Sequence, residues 1–166
     1  MSIQISDFPN VKERAKQLGL NIPNDIAFIP RNFVDAENLN FLVHESSVST
    51  LRKLFIQNDL SVSQLNPNNY KIPYCHENSL DLIVPILFCS ALTISQNPNV
   101  INIVCGIIAN YTTDFFKGIK KEPTIKLSVV IESEKNKKTK KITYEGNVNG
   151  LKELVDTVKE IVNEKT

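Results

Sequence analysis

The chain has 166 residues, a hydrophobic share of 42%, a charged share of 22% and a formal net charge of +1. This length and composition are typical of one globular domain with its own core and are short for two domains. The balanced charge argues against general binding to nucleic acids or acidic membranes, although lysines concentrate in residues 117–166.

The cysteines and the first residues indicate a compartment. Cys75, Cys89 and Cys105 are an odd number, and two of them lie in apolar segments, where a free thiol behaves as a small hydrophobic group. Met1–Asn10 has neither the basic start nor the apolar run of a secretory signal. We therefore expect a reducing, cytoplasmic setting.

Residues 1–78 predict a mixed part of helices and strands. Apolar residues at helical spacing predict helices over Val11–Leu18, which Gly19 ends, and over Val48–Asn58. Ile26–Ile29 predicts a short strand, and Leu39–His44 is a second candidate strand. From Asp59 to Asn78 the chain is rich in Asn, Ser and Pro, which favours turns.

Residues 79–117 contain two apolar blocks, Leu82–Ile94 and Val100–Phe116, separated by a turn at Ser95–Asn99. Each block is shorter than the ~20 apolar residues that a membrane helix needs, and such runs are more often buried in a core. Each is also interrupted by one thin seam of polar or small residues at helical spacing. We interpret the blocks as a helical hairpin buried in the protein; a membrane-inserting hairpin and an oligomer interface are the alternatives.

The seam of the second block includes Asn102, Gly106 and Asn110. Small residues at this spacing let another helix approach closely, so we predict a self-association interface here. The alternative is that the seam packs against the protein's own sheet.

The last part predicts a ββα unit. Apolar residues alternate with polar ones over Ile125–Ile131, and Lys140–Glu145 predicts a partner strand, which together make a β-hairpin. A helix starting near Gly150 has one apolar face and one charged face. The predicted fold is therefore one α/β (α+β) domain over residues 1–166. In it, a small sheet with the C-terminal β-hairpin and helix packs on the buried apolar helical hairpin.

Three segments are candidates for ligand binding. His44-Glu45 ends a predicted strand just before a helix, a junction where ligands often bind in α/β proteins, although a structural role is the alternative. His76-Glu77 follows Cys75, yet neighbours in sequence point in different directions, so a polar loop is the alternative. Lys137 and Lys138 belong to a cluster of five lysines in residues 135–141 that could contact phosphate, or form a solvated loop.

The sequence predicts no catalytic residue, no metal site and no cofactor. Zinc would need four convergent ligands, and the chain offers only three cysteines and two histidines, with Cys89 and Cys105 in apolar runs. The five glycines fit neither dinucleotide-binding nor phosphate-binding loops. An enzyme is the less favoured class.

The C-terminal half resembles effector-associated domains, small adaptor modules encoded in bacterial conflict and antiphage systems. The resemblance lies in the order of an apolar helical unit, a lysine-flanked β-hairpin ending at Gly146, and Leu151–Leu154. It implies a non-enzymatic module that couples a sensor to an effector through protein contacts. We therefore predict an adaptor with a protein partner and self-association, accessory to a bacterial defence or signalling system. A small protein that binds or hydrolyses a nucleotide signal, and a membrane-disrupting effector that uses the 79–117 hairpin, are the alternatives.

Overall fold

A mixed β-sheet organises the fold. The structure, a computed structural model, describes residues 2–75, 82–120, 122–132 and 138–163. The strands are β1 (Ser2–Asp7), β2 (Ile26–Ile29), β3 (Leu82–Ile83), β4 (Ile86–Cys89), β5 (Thr124–Glu132) and β6 (Thr139–Asn147). The helices are α1 (Val11–Gln17), α2 (Val48–Gln57), α3 (Ala91–Gln96), α4 (Val100–Phe115) and α5 (Leu151–Val162), with short 3₁₀ turns at Leu39–Phe41 and Val148–Gly150.

The strand order is β1-β6-β5-β4-β2, and the two-residue β3 pairs with β5 beside β4. Strand β5 runs parallel to β3 and β4, whereas the β1–β6, β6–β5 and β4–β2 pairs are antiparallel. The confirmed fold class is therefore α/β with a mixed sheet, and the antiparallel β1–β6–β5 part is of the kind that can leave one face in water.

The two faces of the sheet have separate cores. Helices α2, α4 and α5 cover the first face, against apolar side chains from β2, β4, β5 and β6. On the second face, α1 and the loops around Phe33, Leu42 and Leu65 pack on β2 and β4, and reach β5 only at Val130. The second core therefore covers only part of its face.

The ββα prediction is confirmed. Strands β5 and β6 pair in register from Thr124↔Asn147 to Glu132↔Thr139, and alternate residues of β5 point into the first core as their period of two predicted. Helix α5 buries Leu151, Leu154, Val155 and Val158, the apolar face read from the sequence. Helices α1 and α2 and strand β2 also lie where predicted.

The prediction of a helical hairpin is wrong for the first apolar block and right for the second. Only its second arm is a long helix, α4; the first block forms β3, β4 and the six-residue helix α3. Strand β4 is buried on both sides, because Leu87 faces the first core and Phe88 the second. A strand buried on both faces has a continuous apolar sequence, which periodicity alone cannot distinguish from a buried helix. The membrane-disrupting alternative assumed the same hairpin and loses its basis with it.

Two differences concern the N-terminal part. Strand β1 was not predicted, although Ile3 and Ile5 alternate with Ser2, Gln4 and Ser6. The candidate strand Leu39–His44 is wrong: it is a 3₁₀ turn, and only His44 makes an isolated bridge, to Tyr74. Asn38 accepts a hydrogen bond from the Asn40 N–H there, the local contact by which Asn favours turns over strands.

In the turn between β6 and α5, the Tyr144 side chain packs closely against Gly150. A Cβ there would lie 2.0 Å from the Tyr144 hydroxyl oxygen, and the buried Tyr144 ring cannot retreat without losing its hydrogen bond to the Asn147 carbonyl. We expect Gly150→Ala to lower the free energy of unfolding by about 1–3 kcal/mol, the usual cost of overpacking. Denaturant titration measures this.

Gly106 is the matched control. It lies within α4, and a Cβ there meets nothing within 4 Å. Gly106→Ala should therefore raise the free energy of unfolding by about 0.5–1 kcal/mol through helix propensity. Equal effects of the two substitutions would contradict the packing of Tyr144 under the turn.

Candidate functional site

Polar side chains line the part of the second sheet face that the second core leaves open. They form a shallow groove of about 170 Å³ across β1, β6 and β5. Its lining residues are Ser2, Gln4, Ser6, Lys126, Ser128, Lys141, Thr143 and Glu145. We call this set the polar groove.

Strand register arranges the polar groove in three rows. The rows are Ser2–Glu145–Lys126, Gln4–Thr143–Ser128 and Ser6–Lys141–Val130. The side chains share one face because residues two apart in a strand point the same way. Val130, at the end of the third row, belongs to the second core, so the groove adjoins covered apolar surface.

The middle row joins two hydroxyl groups. Ser128 Oγ and Thr143 Oγ1 lie 2.9 Å apart and share a hydrogen bond, and Ser128 is buried at the groove floor. Each hydroxyl has further acceptor capacity. The row therefore places hydroxyl groups and the Gln4 amide side by side in the groove.

Two lysines and one carboxylate give the polar groove a positive balance. Lys126 lies directly opposite Glu145. Lys141 Nζ lies 5.9 Å from the centre of the Phe8 ring, a cation–π distance. Lys140 points away from the groove and binds Asp7, whose pKa is lowered by this hydrogen bond and by the charge of Lys140.

His44 and Glu45 are buried near α2, away from the polar groove. The guanidinium of Arg31 binds both carboxylate oxygens of Glu45, at 2.8 and 3.1 Å, and also lies 3.3 Å from Cys75 Sγ. The His44 ring, 2% exposed, stacks on Tyr74 with ring centres 6.0 Å apart. The segment is held by backbone bonds from the His44 N–H to the Pro73 carbonyl and from the Cys75 N–H to the His44 carbonyl.

The environment of His44 keeps its imidazole neutral. Burial first, and then the charge of Arg52, lower its pKa to about 4. Its Nδ1 atom and the Nε atom of Arg52 are buried without a hydrogen-bond partner. The sequence prediction that His44 and Glu45 bind a ligand stays a prediction.

The other candidate residues divide into those outside the described part of the chain and those that are exposed on it. His76, Glu77 and Lys137 lie outside the described residues, and Lys138 is exposed just before β6. Asn102, Gly106 and Asn110 are exposed on α4, so the alternative that this seam packs on the protein's own sheet is wrong. The predicted self-association through it stays a prediction.

The buried thiols differ from reactive ones. Burial raises the pKa of both Cys89 and Cys105 to about 12, so they carry almost no thiolate at neutral pH. Among the described residues no group of three or more His, Cys, Asp or Glu side chains could hold a metal ion. Within the same residues, no helix is long and apolar enough to cross a membrane.

Comparisons with protein-family models, with curated proteins and with solved structures found no match to the chain. The resemblance of the C-terminal half to effector-associated domains therefore stays a prediction.

Sequence reasoning missed the polar groove. Its residues come from β1, β5 and β6, and without β1 the polar positions of β5 and β6 read as an ordinary solvated face. The alternation of Ser2, Gln4 and Ser6 with two isoleucines was the signal that could have found it.

Proposed function

We propose that the chain is a protein–protein interaction module, an adaptor that binds its partner over the polar groove. The observation that supports this most is the partial cover of the second sheet face. Three residues of β1 and three of β6 present hydroxyl, amide and charged groups there, beside a packed core. A rigid sheet holds these groups at fixed spacings, which favours recognition of one matching surface.

The shape of the polar groove favours a protein over a small molecule. Pockets for drug-sized ligands typically enclose about 300–1,000 Å³ and are mostly apolar. The polar groove is smaller, shallow and lined almost entirely by polar residues. Protein interfaces tolerate such polarity, because hydrogen bonds and bridging waters satisfy the polar groups.

The charges of the polar groove indicate the chemistry of the partner. Lys126 and Lys141 outnumber Glu145, so an acidic surface rich in hydrogen-bonding groups fits best. The accessory role in a bacterial defence or signalling system is supported by the resemblance of the C-terminal half alone. The cytoplasmic setting is supported by the unpaired cysteines.

The test is a double charge reversal. We expect Lys126→Glu with Lys141→Glu to weaken partner capture about tenfold or more, because an acidic partner would then meet like charges. The measurement is quantitative affinity capture from the native host, followed by calorimetry with the purified partner. Lys126→Gln with Lys141→Gln should give an intermediate loss and avoids placing two carboxylates opposite each other at Glu145.

The matched control is Lys152→Glu with Lys159→Glu, which makes the same charge change on the exposed face of α5. This control should leave partner capture intact. If the groove and control variants retain the same partners, the proposal is wrong. The nucleotide-binding or hydrolase alternative has one supporting observation, the His44 Nδ1 atom that lacks a hydrogen-bond partner. Saturable binding of a nucleotide would favour this alternative if the groove and control variants keep the binding and His44→Gln abolishes it.

A further inference from the structure

The two edges of the sheet differ in how they are covered. At the β2 edge, Val62 forms a bridge with Ile26, and the Ser63 N–H donates to the Ile26 carbonyl at 2.7 Å. At the opposite edge β1 pairs with β6, and no other described residue bonds to its outer side. One edge is therefore covered and the other is bare over the part of the chain that the structure describes.

The register determines which backbone groups of β1 point outward. The Phe8 N–H donates to the Thr139 carbonyl at 3.0 Å, which continues the register in which Asp7 faces Lys140. In an antiparallel pair the N–H and C=O groups of alternate residues point to the same side. The even-numbered residues of β1 thus bond to β6, and Ile3, Ile5 and Asp7 direct their N–H and C=O groups outward.

Over residues 2–6, strand β1 lacks the features that usually protect an exposed edge; its one charged residue, Asp7, lies at its end and is bound by Lys140. Edge strands are commonly blocked by lysine, proline or a bulge. Residues 2–6 contain no charge and no proline, and the register with β6 runs one to one without a bulge. The Ile5 side chain is 53% exposed. An edge of this kind is ready to pair with another strand.

We propose that β1 pairs antiparallel with β1 of a second copy of the chain, about a two-fold axis that passes midway between Gln4 of one copy and Gln4 of the other. This inference does not rest on the proposed function of the polar groove. The outward groups of Ile3 bond to those of Ile5 of the partner subunit, and the symmetric pair forms as well. These two pairs supply four backbone hydrogen bonds.

Side-chain chemistry selects this register. Directly opposed residues share a sheet face, so Ile3 meets Ile5 of the partner subunit on the helix-covered face, and exposed Ile5 is covered. Gln4 meets Gln4 of the partner subunit, and Ser2 meets Ser6 of the partner subunit, on the polar face. A register centred on Ile5 would place the Asp7 carboxylate opposite Ile3 of the partner subunit. This register is less favourable because a charged group would then lie against an apolar side chain.

The dimer is weak and joins the two polar grooves. A six-residue edge buries less than the ~1,200–2,000 Å² of stable interfaces, so we expect a dissociation constant of about 1–100 μM. The two-fold axis is perpendicular to the sheet, which keeps the polar faces on one side. The polar grooves of the two copies meet at Gln4 and form one continuous surface twice as wide.

Disulfide trapping tests the register. Gln4→Cys, made in a Cys75→Ser chain whose other two thiols are buried, should form a disulfide-linked dimer under mild oxidation. Opposed residues that are not hydrogen-bonded have Cα atoms ~4.5 Å apart, within the range of a disulfide. Ser6→Cys is the matched control: it should not link to itself, because four residues, ~13 Å, separate the two copies of position 6. A mixture of Ser2→Cys and Ser6→Cys chains should link.

Sedimentation velocity tests the association itself. The unmodified protein should change from monomer to dimer over the micromolar range, and Ile5→Lys should shift this range at least tenfold higher. Ile5→Pro should do the same, because it removes an outward N–H and no bond to β6. Circular dichroism verifies folding of both variants.

Three results would overturn the dimer: a monomer at every concentration, equal linking of the Gln4→Cys and Ser6→Cys chains, or a dimer that Ile5→Lys leaves unchanged. The last would place self-association elsewhere, as on the Asn102 face of α4. None of these outcomes affects partner capture through Lys126 and Lys141, so the two proposals fail separately.

Discussion

Phe55→Ala is expected to lower the free energy of unfolding by about 3–5 kcal/mol, the usual cost of removing a buried phenylalanine ring. Phe55 is fully buried in α2, and its ring centre lies 5.1 Å from that of Phe28 in β2. This ring pair attaches α2 to the first face of the sheet. Because domains are stable by only about 5–15 kcal/mol, the loss should also lower the melting temperature clearly.

The neighbouring residue supplies the control. Ile56 lies one position further along α2 and is 57% exposed. Ile56→Ala should change the free energy of unfolding by no more than about 0.5 kcal/mol. Urea titrations of both variants make the measurement, and similar losses for the two would mean that α2 does not pack as described.

Lowering the pH from 7 to 4 should remove about 3 kcal/mol of stability through His44 alone. The pKa of His44 is lowered from 6.5 to about 4 in the folded protein, mainly by burial and then by Arg52. Between these two values the unfolded chain binds a proton that the folded protein does not, so the free energy of unfolding falls as the pH falls. One pKa unit corresponds to about 1.4 kcal/mol, which sets the magnitude.

The experiment compares the pH dependence of stability in two proteins. The first carries His76→Gln alone, and the second carries both His76→Gln and His44→Gln. Carboxylates titrate in both proteins, so their contribution cancels in the difference. Urea titrations at several pH values should show a steep fall between pH 6.5 and 4 in the first protein and a shallower one in the second. Parallel curves would mean that His44 is accessible to protons in the folded state.

Periodicity determined much of the fold because the elements concerned have one polar and one buried face. Helix α5 and strand β5 show this most clearly: Leu151, Leu154 and Val158 recur at helical spacing, while Ile125, Leu127 and Val129 recur at every second residue. Such patterns depend only on neighbours in the sequence. The α/β class followed from them.

The conformation of the first apolar block and the position of the polar groove depend on contacts between residues that are distant in the sequence. Leu82–Cys89 contains only apolar residues, so its local sequence suits either a buried helix or a buried strand. It forms strands because β3 and β4 pair with the edge of β5 that β6 leaves free. The polar groove joins residues 2–6, 126–128 and 141–145, whose adjacency depends on strand register. The polar positions of each element can be read from its local pattern, whereas the hydrogen bonds between distant strands set which of these positions lie together.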